Sequence, residues 1–382
     1  MTTIDTARVP WLAVSAVAAG TFTIVTSEML PVGLLTPMAA TLGVSAGTAG
    51  LTMTAPGIVA ALSAPLLTVV AGRLDRRVVL VALMALLVGA NLLAAVAPAY
   101  PVMLAARVLV GVSIGGFWAF AAGLAGRLVP ERHVGRAAAM IAGGVAVASV
   151  LGVPAGTLIL SWAGWRAAFV AVAVLAVAVL AALVLLLPPL LPTRAVRPAE
   201  LAGVWRDPAL RTVLVATALV VTGHFAAYTY IRPFLEQVSG AGPALISGLL
   251  LAYGIAGVIG NAGAGNQAAR RPREVMVALA ALIAVSTAGL PLAGALMILL
   301  WGLSYGGVSV TGQLWVIRAD GGEAGMAMLS SIFNAAIALG ALLGGRLVDA
   351  ASPSAAMAFG AALALLTAAY AGIWGRRRTT DS

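Results

Sequence analysis

Cysteine does not occur in the 382 residues, so disulfides, thiolate metal sites and cysteine nucleophiles are excluded. Lysine is absent too, and all 22 basic residues are arginine. Charge is scarce: 9% of residues are charged, against roughly 25% in an ordinary soluble domain. A chain so poor in charge cannot coat a globular surface. That argues against a soluble enzyme or a nucleic-acid-binding module, despite a net charge of +10 and a pI near 11.2. No Walker loop is present, which argues against work driven by ATP, and no cofactor is expected. What is present is apolar residues, 62% of the chain, and 44 glycines, giving a mean hydropathy of +1.07. This is the composition of an integral membrane protein.

A spanning helix needs about 20 mostly apolar residues to cross a hydrocarbon core of ~30 Å. The hydropathy predicts twelve spans, at 11–38, 47–71, 78–97, 101–127, 136–161, 166–188, 209–231, 244–267, 274–290, 292–317, 325–346 and 354–375. Turn signals support the cuts: Pro98 and Pro101, Gly164-Trp165-Arg166, and Gly240-Ala241-Gly242-Pro243. The first run holds Glu28 and no small-residue cleavage site, so it reads as an uncleaved span. The expected fold is all-α, with twelve transmembrane helices in two pseudo-symmetric six-helix bundles, 1–188 and 209–382, joined by a central cytoplasmic loop at 189–208.

Arginine placement tests the map. With both termini cytoplasmic, eighteen arginines fall inside and three outside (Arg166, Arg232 and Arg346), while Arg107 lies within a span. This is a strong positive-inside bias, and it explains the basic balance without DNA. The halves also echo each other. Gly20-Thr21-Phe22 recurs as Gly223-His224-Phe225, and Gly152 and Gly156 recur as Gly340 and Gly344. Such repeats suggest a site between halves at the membrane midplane.

Several stretches resemble a known family. Gly72-Arg73-Leu74-Asp75-Arg76-Arg77 resembles the signature loop of the major facilitator superfamily, shortened by one residue. Arg107 through Gly111 to Gly115-Gly116 resembles its arginine-bearing fourth span. Gly143-Gly144 through Gly152, Pro154 and Gly156 resembles the antiporter motif of its proton-driven exporters. Glu28 to Gly33, Gly116-Phe117-Trp118-Ala119, Arg127 to Pro130, Gly164-Trp165-Arg166 and Gly223 through Tyr230 to Phe234 are similar to the drug:proton antiporter branch. That branch includes sugar and purine ribonucleoside efflux permeases. The second-half loop, Arg270-Arg271-Pro272-Arg273, lacks the aspartate of a second signature copy. The resemblance implies export of a small molecule (a drug, sugar or nucleoside) against protons, in a bacterial inner membrane, by a monomer working through alternating access. It also implies that Gly72, Arg73, Asp75 and Arg76 form a gating loop, with Asp75 a cytoplasmic latch.

Glu28 is the acidic residue set deep in a span, ~26 Å along its helix. A charge at the bilayer centre costs at least ~2.5 kcal/mol, so it serves either proton coupling or structural glue. Arg107, ~9 Å into span four, either pairs with Glu28 or snorkels outward. His224 is either a proton relay or a hydrogen-bonded fixture. Tyr228 shares its helix face one turn on. Phe117, Trp118, Phe120, Tyr228, Trp301, Tyr305, Gln313 and Asn334 are the candidate cavity lining, suited to a neutral molecule with a flat face.

Overall fold

The computed structural model describes residues 11–70, 74–121, 124–190 and 203–374. These residues are almost wholly helical. The main helices are α1 (Trp11–Leu42), α2 (Ala46–Val70), α3 (Arg76–Ala95), α4 (Tyr100–Ala121), the short α5 (Ala125–Leu128), α6 (Val134–Leu186) and α7 (Pro208–Tyr228). They continue with the short α8 (Ile231–Gln237), α9 (Pro243–Ala268), α10 (Pro272–Arg318), α11 (Gly322–Ala350) and α12 (Pro353–Trp374).

Nine described helices are long and apolar enough to cross a bilayer. Two of them are far too long for one crossing: 51 residues within α6 and 47 in α10, or roughly 70 Å or more against a ~30 Å core. Each is broken where the sequence calls for a turn. Gly164 adopts φ 80° and ψ 167°, a conformation costly for any other residue, and Ala293, two residues after Pro291, leaves the helical region. The breaks divide each helix into two spans, as the hydropathy predicts. Span ends move by a few residues: α1 runs four residues past its expected end, through Pro31 and Pro37.

The outer faces carry apolar side chains, including Leu292 at 89% exposure and Leu185 at 79%. In water this would be a defect; facing lipid it is the expected surface. Most of the buried core falls into one cluster dominated by α7–α12 and another built from α1, α3, α4 and α6. Small residues let the helices close on each other. A Cβ on Gly144 would meet the Ala18 carbonyl, and Cβ atoms on Gly340 and Gly344 would meet the carbonyls of Thr222 and Ala226. The α1–α6 seam of the first half is thus repeated as the α7–α11 seam of the second. The Gly-x-Phe echo is looser. Gly20 makes room for Phe117 of α4, whereas Gly223 makes room for Gly360 and Leu363 of α12.

Candidate functional site

Glu28 lies on α1 at 5% exposure, and it is the only acidic side chain in the buried class among the described residues. Its carboxyl takes part in no hydrogen bond or ion pair with any of them. Arg107 is fully buried, so it does not snorkel to an interface. Its guanidinium does not reach the Glu28 carboxylate either. Nε donates to the Thr52 carbonyl at 2.8 Å, Nη1 to the Ser27 carbonyl at 2.9 Å and Nη2 to the Glu28 backbone carbonyl at 3.0 Å. The reason is written four residues further on. Pro31 and Pro56 lack the amide hydrogens that would bond the carbonyls of Ser27 and Thr52. Arg107 supplies both missing donors, so carbonyls and not a carboxylate hold its charge. Ser27 also donates through Oγ to Asn91 Oδ1 at 3.0 Å, which ties α1 to α3.

The second half contributes a compact aromatic group. His224 is buried on α7, its ring stacked on Tyr305 with centroids 3.3 Å apart and on Tyr228 at 5.1 Å. Trp301 Nε1 donates to His224 Nδ1 at 3.1 Å. Indole is a donor only, so Nδ1 accepts and the imidazole proton sits on Nε2, 3.5 Å from the Tyr253 hydroxyl. His224 is therefore held as a neutral ring with both nitrogens occupied. Phe225 closes the group edge-on at 4.9 Å. One fully buried polar atom in the group is unsatisfied: the Tyr305 hydroxyl has no partner among the described residues. Tyr253 is the member that sequence does not reveal, because nothing in its spacing tells which way α9 is turned.

The expected cavity lining thus divides. Tyr228, Trp301 and Tyr305 come together around His224. Phe117, Trp118 and Phe120 do not join them: Phe117 is wholly buried in the first-half core against Gly20, Trp118 packs on that same core, and Phe120 lies under the Arg76 guanidinium at 4.5 Å. The α4 face that carries them is turned toward α1 and α3, not toward α7 and α10. Gln313 is exposed and donates to Ser309 Oγ, while Asn334 is half-buried and donates to the Ser330 carbonyl. Gly152 and Gly156 abut Thr26 and Leu30 of α1, so with Pro154 they form a packing seam.

Gly72 and Arg73 lie outside the described residues. Asp75 caps α3, accepting from Arg77 N at 2.8 Å, and it also accepts from Leu190 N at 2.9 Å. Arg76 N donates to the Leu190 carbonyl at 2.9 Å. The loop therefore grips the chain leaving span six. In the other half Arg273 donates to the carbonyls of Ala371 and Gly372, gripping the end of span twelve without any aspartate.

At the opposite end, away from the termini, the second half reaches into the first. Asp349 accepts from Gly47 N at 2.9 Å and from Ser45 Oγ at 2.6 Å, bringing a carboxylate to the N-terminus of α2. Tyr230 donates to the Ala341 carbonyl at 2.7 Å and lies against Gly50, where any side chain would collide with its hydroxyl. Arg232 Nη1 donates to the Gly33 carbonyl at 2.6 Å, and its Nε pairs with Glu236 at 2.8 Å. Ser247 donates to Thr157 Oγ1 at 2.8 Å. Of these contacts the sequence marks only the stretch that contains Tyr230 and Arg232. Asp349 carries no signal, because its partners are some 300 residues away.

Comparison with known proteins agrees with this architecture. A family model described as Major Facilitator Superfamily matches residues 17–325. The chain is 36% identical over 372 residues to the transcription regulatory protein OpdE of Pseudomonas aeruginosa, covering 94% of this chain and 92% of the relative. It is 32% identical over 370 residues to the purine ribonucleoside efflux pump NepI of Salmonella paratyphi B, covering 95% and 93%. A solved POT family transporter in complex with a peptide conjugate superposes with a TM-score of 0.74 at 12% identity, covering 94% of each chain. A bacterial homolog of the lysosomal transporter Spinster, inward-facing and unoccupied, superposes at 0.70 and 16%, covering 97% of this chain and 96% of that one.

Proposed function

This chain belongs to the Major Facilitator Superfamily, and from that premise we propose that it exports a small planar molecule in exchange for protons, by alternating access. That it is a multi-pass membrane transporter and not an enzyme follows from the family and its solved neighbours. The coupling is our reading, and Glu28 carries it. The Glu28 carboxyl is buried with no hydrogen-bond partner among the described residues, and Arg107 donates to backbone carbonyls, so no bond among those residues fixes its protonation. Loading substrate beside it, or opening its side to water, changes which state is preferred. It then takes up or gives up a proton.

The aromatic group around His224 supports a flat ligand. Stacked rings offer π faces with little selectivity for the edge, and the Tyr305 hydroxyl offers one hydrogen bond. Together with the likeness to a purine ribonucleoside efflux pump, this favours a nucleoside over a sugar, which has no flat face. The gradient would be that of a bacterial cytoplasmic membrane, with the termini and most arginines inside, as the loop charges argue. The protein would work as a monomer. We place the division of labour at the 1–188 and 209–382 halves. Proteoliposomes preloaded with radiolabelled inosine test the reading: an imposed pH gradient should speed efflux in the unaltered protein and fail to do so in Glu28→Gln. Gradient-driven efflux surviving in Glu28→Gln would overturn it.

A further inference from the structure

The Ser27 and Thr52 carbonyls show what this chain does with a proline in a helix: the carbonyl left open four residues earlier receives an arginine. The pattern occurs a third time. Pro37 lies inside α1 and cannot bond the Gly33 carbonyl, and that carbonyl is the one Arg232 reaches at 2.6 Å. The difference is where the arginine comes from. Arg107 belongs to the same half as its acceptors, whereas Arg232 stands just beyond α7 in the other half.

We propose that Arg232 is a positioning residue that clasps the distal end shut by docking in the carbonyl vacated at Pro37, and that this bond breaks whenever that end opens. The inference rests on the alternating-access reading. Three observations support it. Arg232 is buried at 5% exposure, so its charge is held by the carbonyl and by Glu236 and not by water. Glu236 sits one turn along α8 at 2.8 Å, on the arginine's own half, so the cation keeps a partner when Gly33 departs. The bond also lies beside the other points where the second half meets the end of α1 and the start of α2, namely Asp349 with Ser45 and Gly47, and Tyr230 against Gly50. A carbonyl already bonded within its helix would bind the arginine less strongly; the proline keeps this acceptor available.

The chain's lack of cysteine makes the test simple. Ala39 is buried on α1 in a small cluster with Leu35, Ala49 and Tyr230, so it becomes accessible only when the distal end opens. Ala39→Cys would be labelled with a membrane-impermeant maleimide in the full chain reconstituted in lipid, without substrate. Arg232→Gln should raise the labelling rate about tenfold or more, the weight of one charge-assisted hydrogen bond. Pro37→Ala restores the helical amide, so it should raise labelling by itself, and adding Arg232→Gln to it should change the rate by less than about threefold. If Arg232→Gln unfolds the protein, Arg232→Lys serves in its place: the ammonium lacks the rigid, spread donor fork that reaches Gly33 and Glu236 from Nη1 and Nε, and labelling should rise severalfold. Unchanged labelling in the arginine variants overturns the clasp, and so does an Arg232→Gln fold-change that is the same with and without Pro37→Ala. Labelling that responds as predicted in a protein that moves no substrate would uphold the clasp and reject the transport reading.

Discussion

Glu28 and His224 are both ionisable, both buried, and placed on opposite halves of the molecule, yet their surroundings are opposite in kind. His224 has a donor at one ring nitrogen, a hydroxyl at the other and tyrosine rings stacked against it. Glu28 has a helix backbone beneath it and no hydrogen-bond partner at its carboxyl among the described residues. Arg107 could have ended that difference and does not, because Pro31 and Pro56 draw its donors to the carbonyls of Ser27 and Thr52. A saturated group resists a change of charge, since any proton gained or lost breaks bonds already made. An unsaturated one has less to lose. On the antiport reading proposed above, this contrast would assign the proton carrier to the first half and the ligand-shaping surface to the second.

Substitutions can break or sharpen this contrast. The largest effect is expected at Glu28. Glu28→Gln keeps size and polarity but cannot ionise, so gradient-driven flux should fall about a hundredfold or more, while substrate exchange without a gradient persists. His224→Ala should act on affinity instead. Removing one ring from the stack should raise the half-saturating substrate concentration about tenfold, leaving the number of protons moved per substrate unchanged. Trp301→Phe removes the Nε1–H bond to Nδ1, worth about 1 kcal/mol, together with part of a fully buried ring, so a rise of roughly fivefold or more is expected. The smallest effect lies outside the contrast: Asp75→Ala costs an N-cap and the Leu190 contact, about 1–2 kcal/mol of stability read as a lower melting temperature, with coupling intact.

Much of the fold could be read directly, because crossing a bilayer imposes a local requirement on length and polarity. Both hidden breaks were legible from span length, and the break at Gly164 also carried a turn signal. The site was legible only in part. Glu28 stood out because a carboxylate in an apolar run needs a reason, but the rotation of a helix about its axis leaves little trace in its own residues. That is why Phe117 and Phe120 were expected beside Tyr305 and turned out to face the first-half core, while Tyr253 was missed. Arg107 shows a signal that was present and unread. Prolines at 31 and 56 each open the carbonyl four residues before them, and a buried arginine on a neighbouring helix is the donor that fits. Asp349 had no such signal, since its partners at Ser45 and Gly47 are joined to it only by the fold.

If Glu28 exchanges the proton that drives transport, proton release will depend on its carboxyl. That release can be recorded by a pH-sensitive dye inside liposomes bearing a pH gradient, on addition of a purine nucleoside, for the unaltered protein and Glu28→Gln side by side. Nucleoside-dependent dye recovery is expected in the first and none in the second. Equal recovery in both would show that the proton travels by another group, and nucleoside flux without recovery in either would show that no proton is coupled at all.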